Sequence, residues 1–175
     1  MKVLVAVDLQ KDFVTGSLGT EEARAIVSAA AEKIRTFDGL VLFTRDTHGE
    51  DYLSTQEGRR LPVPHCIRNT EGWQLVGELD SPPEEKIFDK PAFGSVKLGE
   101  FLRDLHLSTP LESVTLVGLC TDICVISNAM LLKAFLPETE IIVDASCCAG
   151  VTFESHKRAL ETMAQCQITV ENMPA

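Results

Sequence analysis

Residues 118–125, Gly118-Leu119-Cys120-Thr121-Asp122-Ile123-Cys124-Val125, join an apolar run to a segment whose apolar residues recur at helical spacing. The pattern predicts a buried strand over 114–117 and a helix over 126–135, with Thr121 as the N-cap and Cys124 in the first turn. Free backbone N–H groups in a first turn favour negative charge, so they can lower the pKa of a thiol and hold an oxyanion. Taken alone, this stretch favours a small, buried, apolar cysteine over a reactive one.

Strand and helix patterns alternate on both sides of this turn. Helix start signals occur at Thr20, Ser95 and Thr152, and a long, mostly irregular segment covers 49–83. Such a long loop inside a compact domain usually has a function. The remaining apolar runs predict strands over 3–7, 40–44, 86–88, 140–144 and 167–170. We therefore expect one α/β domain over residues 1–175, a three-layer sandwich with a mostly parallel sheet of about six strands.

Composition excludes several classes of partner. The 175 residues are 45% hydrophobic and 24% charged, which is ordinary for a globular protein. The formal net charge of -10 argues against nucleic acid and anionic membranes as partners. No apolar run approaches the roughly 20 residues that span a bilayer, and we interpret the N-terminal run as a strand, not a signal peptide. Six cysteines could pair in a secreted protein, but the length and the α/β pattern favour a reduced, cytoplasmic chain, with Cys147 and Cys148 at a strand end and its turn.

Polar residues follow several of the predicted strands, where ligands bind in open parallel sheets. Asp8 follows the first strand, Lys90 the third, and Cys124 lies beyond the central strand. A cysteine nucleophile needs a proton acceptor and a cation that favours the thiolate, and Asp8 and Lys90 could supply these. On residue types alone, a salt-bridged acid and a solvated lysine are equally acceptable interpretations.

A second polar group suggests a metal site. Asp46 and His48 are two residues apart at a strand end, so their side chains share one face. With His65 they offer two imidazoles and a carboxylate, a set suited to Zn²⁺, Mn²⁺ or Fe²⁺ with open positions. Glu57 could complete the set directly or through a water. Each of these residues taken singly is more often a surface or core residue than a ligand.

The chain resembles the isochorismatase-like cysteine hydrolases nearly end to end. Residues 8–13, Asp8-Leu9-Gln10-Lys11-Asp12-Phe13, are similar to the family's D-x-Q-x-D-F motif, and 117–125 to its V-G-x-x-T-D-x-C-V nucleophile motif. Lys90, followed by Phe93, resembles its middle lysine. The resemblance implies a Rossmann-like strand order and a catalytic triad of Asp8, Lys90 and Cys124. It also implies a cis peptide before Cys120 and an oxyanion hole from the N–H groups of Cys120 and Cys124.

The metal segment resembles the nicotinamidase subgroup of that family. Asp46-x-His48 followed by Pro64-His65-Cys66 is similar to its metal site, and Glu57 stands where many members have a third histidine. The resemblance implies one divalent ion, zinc with manganese or iron as alternatives, which binds the pyridine nitrogen. It implies hydrolysis of nicotinamide to nicotinate and ammonia through a Cys124 thioester, in NAD salvage. Residues 91–95, Pro91-Ala92-Phe93-Gly94-Ser95, depart from the Ser-Ala-Phe that the family often has after the lysine. This departure affects the expected wall of the pocket and not the chemistry.

Two aromatic residues are candidates for the substrate pocket. Phe13 and Trp73 could form the apolar walls around the ring, although Trp73 fits the core of the long loop at least as well. One alternative function is hydrolysis of another small amide or carbamoyl compound on the same fold. Another is a catalytically silent binding protein, against which the intact Asp8, Lys90 and Cys124 argue. The expected partner is the small amide, and a homo-oligomer is compatible with the sequence.

Overall fold

Six parallel strands form the centre of the structure, a computed structural model that describes residues 1–174. Their order across the sheet is β3-β2-β1-β4-β5-β6, and every neighbouring pair is parallel. The strands are β1 (Lys2–Val7), β2 (Leu40–Asp46), β3 (Ile87–Lys90), β4 (Ser113–Leu119), β5 (Glu140–Ala149) and β6 (Thr169–Glu171). This confirms the predicted α/β class, and the order is that of the doubly wound Rossmann fold.

Helices cover both faces of the sheet because successive strand residues point to opposite sides. Val3 and Val5 of β1 belong to one apolar cluster, and Leu4 and Ala6 to the other. The helices are α1 (Lys11–Val14), α2 (Glu21–Thr36), α3 (Gln56–Arg60), α4 (Val96–Ser108), α5 (Ile126–Phe135) and α6 (Phe153–Gln165). The first cluster includes residues of α4, α5 and α6, and the second includes residues of α2. The result is the expected three-layer sandwich.

Three of the predicted helix starts have the expected caps. The side chains of Thr20, Ser95 and Thr152 accept hydrogen bonds from backbone N–H groups of α2, α4 and α6. The prediction for Thr121 is wrong. Residues Thr121–Val125 form a π-helical turn before α5, and the Thr121 hydroxyl lies 2.8 Å from Nδ1 of the buried His156 instead of capping the turn. The peptide bond between Leu119 and Cys120 is cis, as the resemblance implies.

Other differences concern element lengths. β5 continues to Ala149, so Cys147 and Cys148 lie at the end of a strand as predicted, but both are buried strand residues and neither is in the turn. The segment 49–83 contains α3 and short 3₁₀ turns, including Tyr52–Ser54. Within residues 1–174, none of the helices is long and apolar enough to cross a membrane.

The strand order reverses direction between β1 and β4. After β1 the chain adds β2 and β3 on one side, then returns to place β4 on the other side of β1. The carboxyl ends of parallel strands at such a reversal flank a crevice where ligands bind. Residues far apart in sequence, near the ends of β1, β2, β3 and β4, therefore meet at one rim of the sheet.

Candidate active site

A cavity of about 680 Å³ opens at this rim. Its walls combine residues from the turn after β4, from the end of β2 and from the long loop. Seven of the residues predicted for the site line it directly, and they are Phe13, Asp46, His48, Glu57, His65, Cys120 and Cys124. This volume lies within the range of small-molecule sites in proteins.

Lys90 is the residue at which the predicted triad meets. Its Nζ lies 2.6 Å from Oδ2 of Asp8 and 3.5 Å from Sγ of Cys124, and its side chain is 0% exposed. The same Nζ lies 3.3 Å from Oδ1 of Asp46, one of the predicted metal ligands. A single buried cation therefore joins the acid, the thiol and the metal-site carboxylate.

Burial dominates the electrostatics of this group. Burial raises the pKa of Asp8, and Lys90 opposes that rise. Burial and the neighbouring Asp8 also raise the pKa of the Cys124 thiol well above its usual value. Although burial disfavours its charge, the pKa of Lys90 is raised by Asp8 and Cys124. Asp8 is consequently a carboxylate with increased proton affinity beside a charged lysine and a thiol.

This direction for Cys124 differs from the sequence-based expectation of a lowered pKa. The prediction assumed a solvated first turn of a helix, where free N–H groups and the helix dipole favour a thiolate. In the structure the thiol is buried and the nearby carboxylates Asp8 and Asp46 disfavour a further negative charge. Formation of the thiolate therefore requires transfer of its proton to a neighbouring group.

Asp8 is fixed by the adjacent strand. The Thr44 hydroxyl donates to Oδ1 of Asp8 at 2.6 Å, and the Asp8 N–H donates to the Thr44 carbonyl at 3.2 Å. The backbone of Asp8 has a φ of 47°, a left-handed conformation that is uncommon outside glycine. The strand thus ends abruptly at Asp8, and its carboxylate is directed toward Lys90.

The four predicted metal ligands form one cluster. Their ligand atoms all lie within 4.8 Å of one another. The Nε2 atoms of His48 and His65 lie 3.0 and 3.6 Å from Oδ2 of Asp46, and 3.6 and 3.7 Å from Oε1 of Glu57. Ligand atoms about 2.1 Å from one ion at tetrahedral angles are roughly 3.4 Å apart, so this donor set fits a divalent metal ion.

Neighbouring groups orient both imidazoles. Nδ1 of His65 lies 2.8 Å from the Val63 carbonyl, which can only accept, so Nδ1 carries a proton and Nε2 is the ring atom that faces the cluster. The buried Tyr52 ring packs against His48 and His65, with ring centroids 4.8 and 5.0 Å apart. Although burial disfavours its charge, hydrogen bonds with His48 and His65 lower the pKa of Asp46. Although burial opposes the change, the hydrogen bond with Asp46 raises the pKa of His65. The imidazole and the ionised carboxylate therefore share a proton, which a bound metal ion would replace.

Gln10 has a supporting role that the sequence analysis missed. Its buried amide accepts from the Asp46 N–H at 2.7 Å and donates to the carbonyls of Asp46 and Trp73 at 2.9 and 2.8 Å. These bonds hold the end of β2, and hence the Asp46 carboxylate, against the long loop. The only sequence signal was its position two residues after Asp8, within the D-x-Q-x-D-F motif.

The two predicted ring walls have different outcomes. Phe13 lines the cavity and packs against His65 with ring centroids 5.6 Å apart. Trp73 is not among the residues that line the cavity, in contrast to the prediction that it walls the ring. Its indole N–H donates to the Thr47 hydroxyl at 2.8 Å, and the Arg45 guanidinium lies 3.6 Å from its ring centroid. Trp73 therefore fastens the long loop to β2.

Known proteins resemble this chain along nearly its whole length. A family model of the isochorismatase domain matches residues 2–174. An uncharacterized isochorismatase family protein of Bacillus subtilis and a nicotinamidase/pyrazinamidase of Mycobacterium tuberculosis are each 31% identical over 180 residues, covering 93% of this chain and 94% of theirs. The crystal structure of a pyrazinamidase of Pyrococcus horikoshii in complex with zinc is 28% identical, with a TM-score of 0.81 and 97% of either chain covered.

The match to the family model, the shared fold and the geometry of the site together define the class of protein to which this chain belongs. The chain belongs to the isochorismatase family. The predicted enzyme class, an amidohydrolase, is confirmed by this membership and by the curated relatives. The four-residue donor cluster and the zinc complex of the related pyrazinamidase together support a divalent metal ion in this site.

Proposed function

We propose that this chain is a nicotinamidase, which hydrolyses nicotinamide to nicotinate and ammonia in NAD salvage in the cytoplasm. The observation that carries the proposal is the contact between the triad and the metal-donor set. Asp8, Lys90 and Cys124 meet within a few ångströms of the donor set formed by Asp46, His48, Glu57 and His65, with Lys90 bridging the two groups. Curated relatives with nicotinamidase activity in their names support the choice of substrate.

In the first half of the proposed reaction, Cys124 is the nucleophile. Its proton moves to Asp8 as Sγ bonds to the amide carbon, and the raised pKa of Asp8 favours that transfer. The carbonyl oxygen becomes an oxyanion, for which the N–H groups of Cys120 and Cys124 are the donors. Lys90 remains charged and stabilises the thiolate as it forms.

In the second half, Asp8 acts twice more. Its proton passes to the departing nitrogen, so that ammonia leaves and a thioester remains on Cys124. Asp8 then takes a proton from the water that attacks the thioester carbon. The bond to Sγ breaks, nicotinate is released and the cysteine recovers its proton.

Asp46, His48, Glu57 and His65 would hold the ion, for which zinc is the proposal because a related pyrazinamidase binds it. When bound, the ion would supply a Lewis acid that holds the pyridine nitrogen and orients the ring. Phe13 provides an apolar wall next to His65. With the ring held at its nitrogen, the amide group on the ring would lie beside Cys124.

The test compares nicotinamide with benzamide, which has the same amide and no ring nitrogen. Ammonia release is measured with metal-free enzyme, metal-restored enzyme and His48→Ala. We expect loss of the metal to lower kcat/KM more for nicotinamide than for benzamide, by roughly tenfold or more. The reason is that only nicotinamide has a ring nitrogen that the ion would bind.

His106→Ala serves as the matched control, because His106 lies on α4 outside the cavity and its Nδ1 accepts from the Leu111 N–H. It should leave the ratio between the two amides unchanged. Equal losses for both amides without the metal would contradict the nicotinamide assignment and favour another small amide or carbamoyl substrate.

A further inference from the structure

Asn128 on α5 connects the nucleophile turn to an adjacent segment of the cavity wall. Its Oδ1 accepts from the Ser95 N–H at 2.9 Å. Its Nδ2 donates to the Phe93 carbonyl at 3.0 Å and to the Cys124 carbonyl at 2.8 Å. The residue is 1% exposed, so these three bonds form away from solvent.

The chemistry of this junction requires a carboxamide. The Ser95 N–H can only donate and the two carbonyls can only accept, which fixes the orientation of the Asn128 amide. A carboxylate of the same shape would satisfy the Ser95 N–H and leave the two carbonyls facing oxygen. An apolar side chain of similar size would leave all three buried backbone groups without this partner, at a cost for each.

The wall segment held by Asn128 begins directly after the buried lysine. Residues 91–93 line the cavity, and Ser95 then caps α4. A Cβ on Gly94 would lie 3.4 Å from the Ser127 carbonyl, an ordinary van der Waals distance, so this segment runs alongside α5. Asn128 is thus the polar contact that ties the wall to the residue carrying the nucleophilic sulfur.

We infer that Asn128 is a positioning residue that sets the distance between the Phe93 wall and Cys124, and thereby the size of amide that reaches the thiol. It touches neither the sulfur nor the proton acceptor, because its bonds go to backbone atoms only. Its loss should loosen the wall while Asp8 and Lys90 keep their contacts with each other. The inference deepens the proposed function and rests on it for the identity of the amide.

The experiment measures alkylation of Cys124 by a small and a bulky reagent, iodoacetamide and its N-phenyl derivative, with peptide mass spectrometry. The exposed Cys166 of the same molecule reports the rate ratio of the two reagents at an open thiol. The variants are Asn128→Leu and the isosteric Asn128→Asp. Leu132→Ala is the matched control, since it removes a buried core contact of α5 without touching the wall.

In the wild type we expect Cys124 to prefer the small reagent far more strongly than Cys166 does. In both Asn128 variants this preference should fall by about tenfold toward the Cys166 ratio, because each variant loses at least the two hydrogen bonds that Nδ2 donates. KM for nicotinamide should rise more than kcat falls. Leu132→Ala should lower the melting temperature and leave the preference unchanged.

An unchanged preference in the folded Asn128 variants, or an equal change in Leu132→Ala, would overturn the inference and leave Asn128 with a structural role only. Failure of the wild type to hydrolyse nicotinamide would contradict the proposed function instead. The alkylation ratios do not depend on that activity, so the two failures are distinguishable.

Discussion

At the scale of single residues, the site depends on a carboxylate kept away from water. Asp8 is fully buried, with the Lys90 ammonium on one oxygen and the Thr44 hydroxyl on the other. Burial raises the pKa of Asp8, while the lysine limits how far the proton affinity increases. This balance suits a group that must both accept and return a proton in one turnover.

Asp8→Asn removes the proton acceptor and preserves the shape of the side chain. We expect the rate of amide hydrolysis to fall by roughly 10²–10⁴-fold, the usual contribution of acid–base catalysis, or by more because Asp8 acts repeatedly. Steady-state ammonia release checks this. Asp38→Asn is the control for the same chemical change, because Asp38 is exposed before β2 and does not line the cavity. Wild-type rates in Asp8→Asn would rule out the proposed mechanism.

The residues that sequence reasoning found differ in kind from those it missed. Asp8, Lys90 and Cys124 carry reactive groups within recognisable motifs, and the structure brings them together. Gln10 and Asn128 act through hydrogen bonds to backbone atoms of distant segments, which no spacing along the chain encodes. The pKa direction of Cys124 was predicted wrongly for a similar reason, since it depends on burial between carboxylates.

At the scale of elements, the metal cluster relies on a helix too short to be stable alone. α3 has five residues and carries Glu57, and the Thr55 hydroxyl accepts from the Gly58 N–H at 3.0 Å. A Cβ on Gly58 would lie 2.0 Å from the Tyr52 carbonyl, so only glycine allows this close approach. The Glu57 carboxylate is therefore held by a cap and by packing against the turn that carries Tyr52.

Removal of that cap should weaken metal binding. Thr55→Ala loses the bond to the Gly58 N–H, which typically costs about 1 kcal/mol, so we expect the affinity for zinc to fall by about fivefold. Competition with a chromophoric chelator measures the affinity. Thr55→Ser retains the hydroxyl and should bind the ion like the wild type. Equal affinities in Thr55→Ala and Thr55→Ser would show that Glu57 does not depend on the cap for its position.

Elements were predicted more reliably than their ends. Apolar runs located all six strands, because parallel strands covered on both faces are continuously apolar. The extension of β5 through Cys148 was missed because β4 and β5 pair again after an irregularity between Leu116 and Gly118. Thr121 was predicted as an N-cap from its residue type and position. Its hydroxyl lies instead beside His156 of α6, and a tertiary contact of this kind cannot be seen in a local sequence pattern.

At the scale of the whole molecule, the strand order brings the reactive groups together. Residues from the ends of β1, β2 and β3 and from the turn after β4 meet around Lys90, although they span more than half of the chain. No local pattern could have shown this contact. The alternation of strands and helices predicted a parallel sheet, and a parallel sheet places the carboxyl ends of all its strands at the same rim.

The central claim is that the sulfur of Cys124 attacks the amide, and nicotinamide turnover by two alanine variants tests it directly. Both Cys120 and Cys124 line the cavity, so the pair is matched for position. Cys124→Ala should release no ammonia while it retains its fold and metal, and Cys120→Ala should keep much of the activity because only its backbone N–H is proposed to act. An active Cys124→Ala beside an inactive Cys120→Ala would contradict the account.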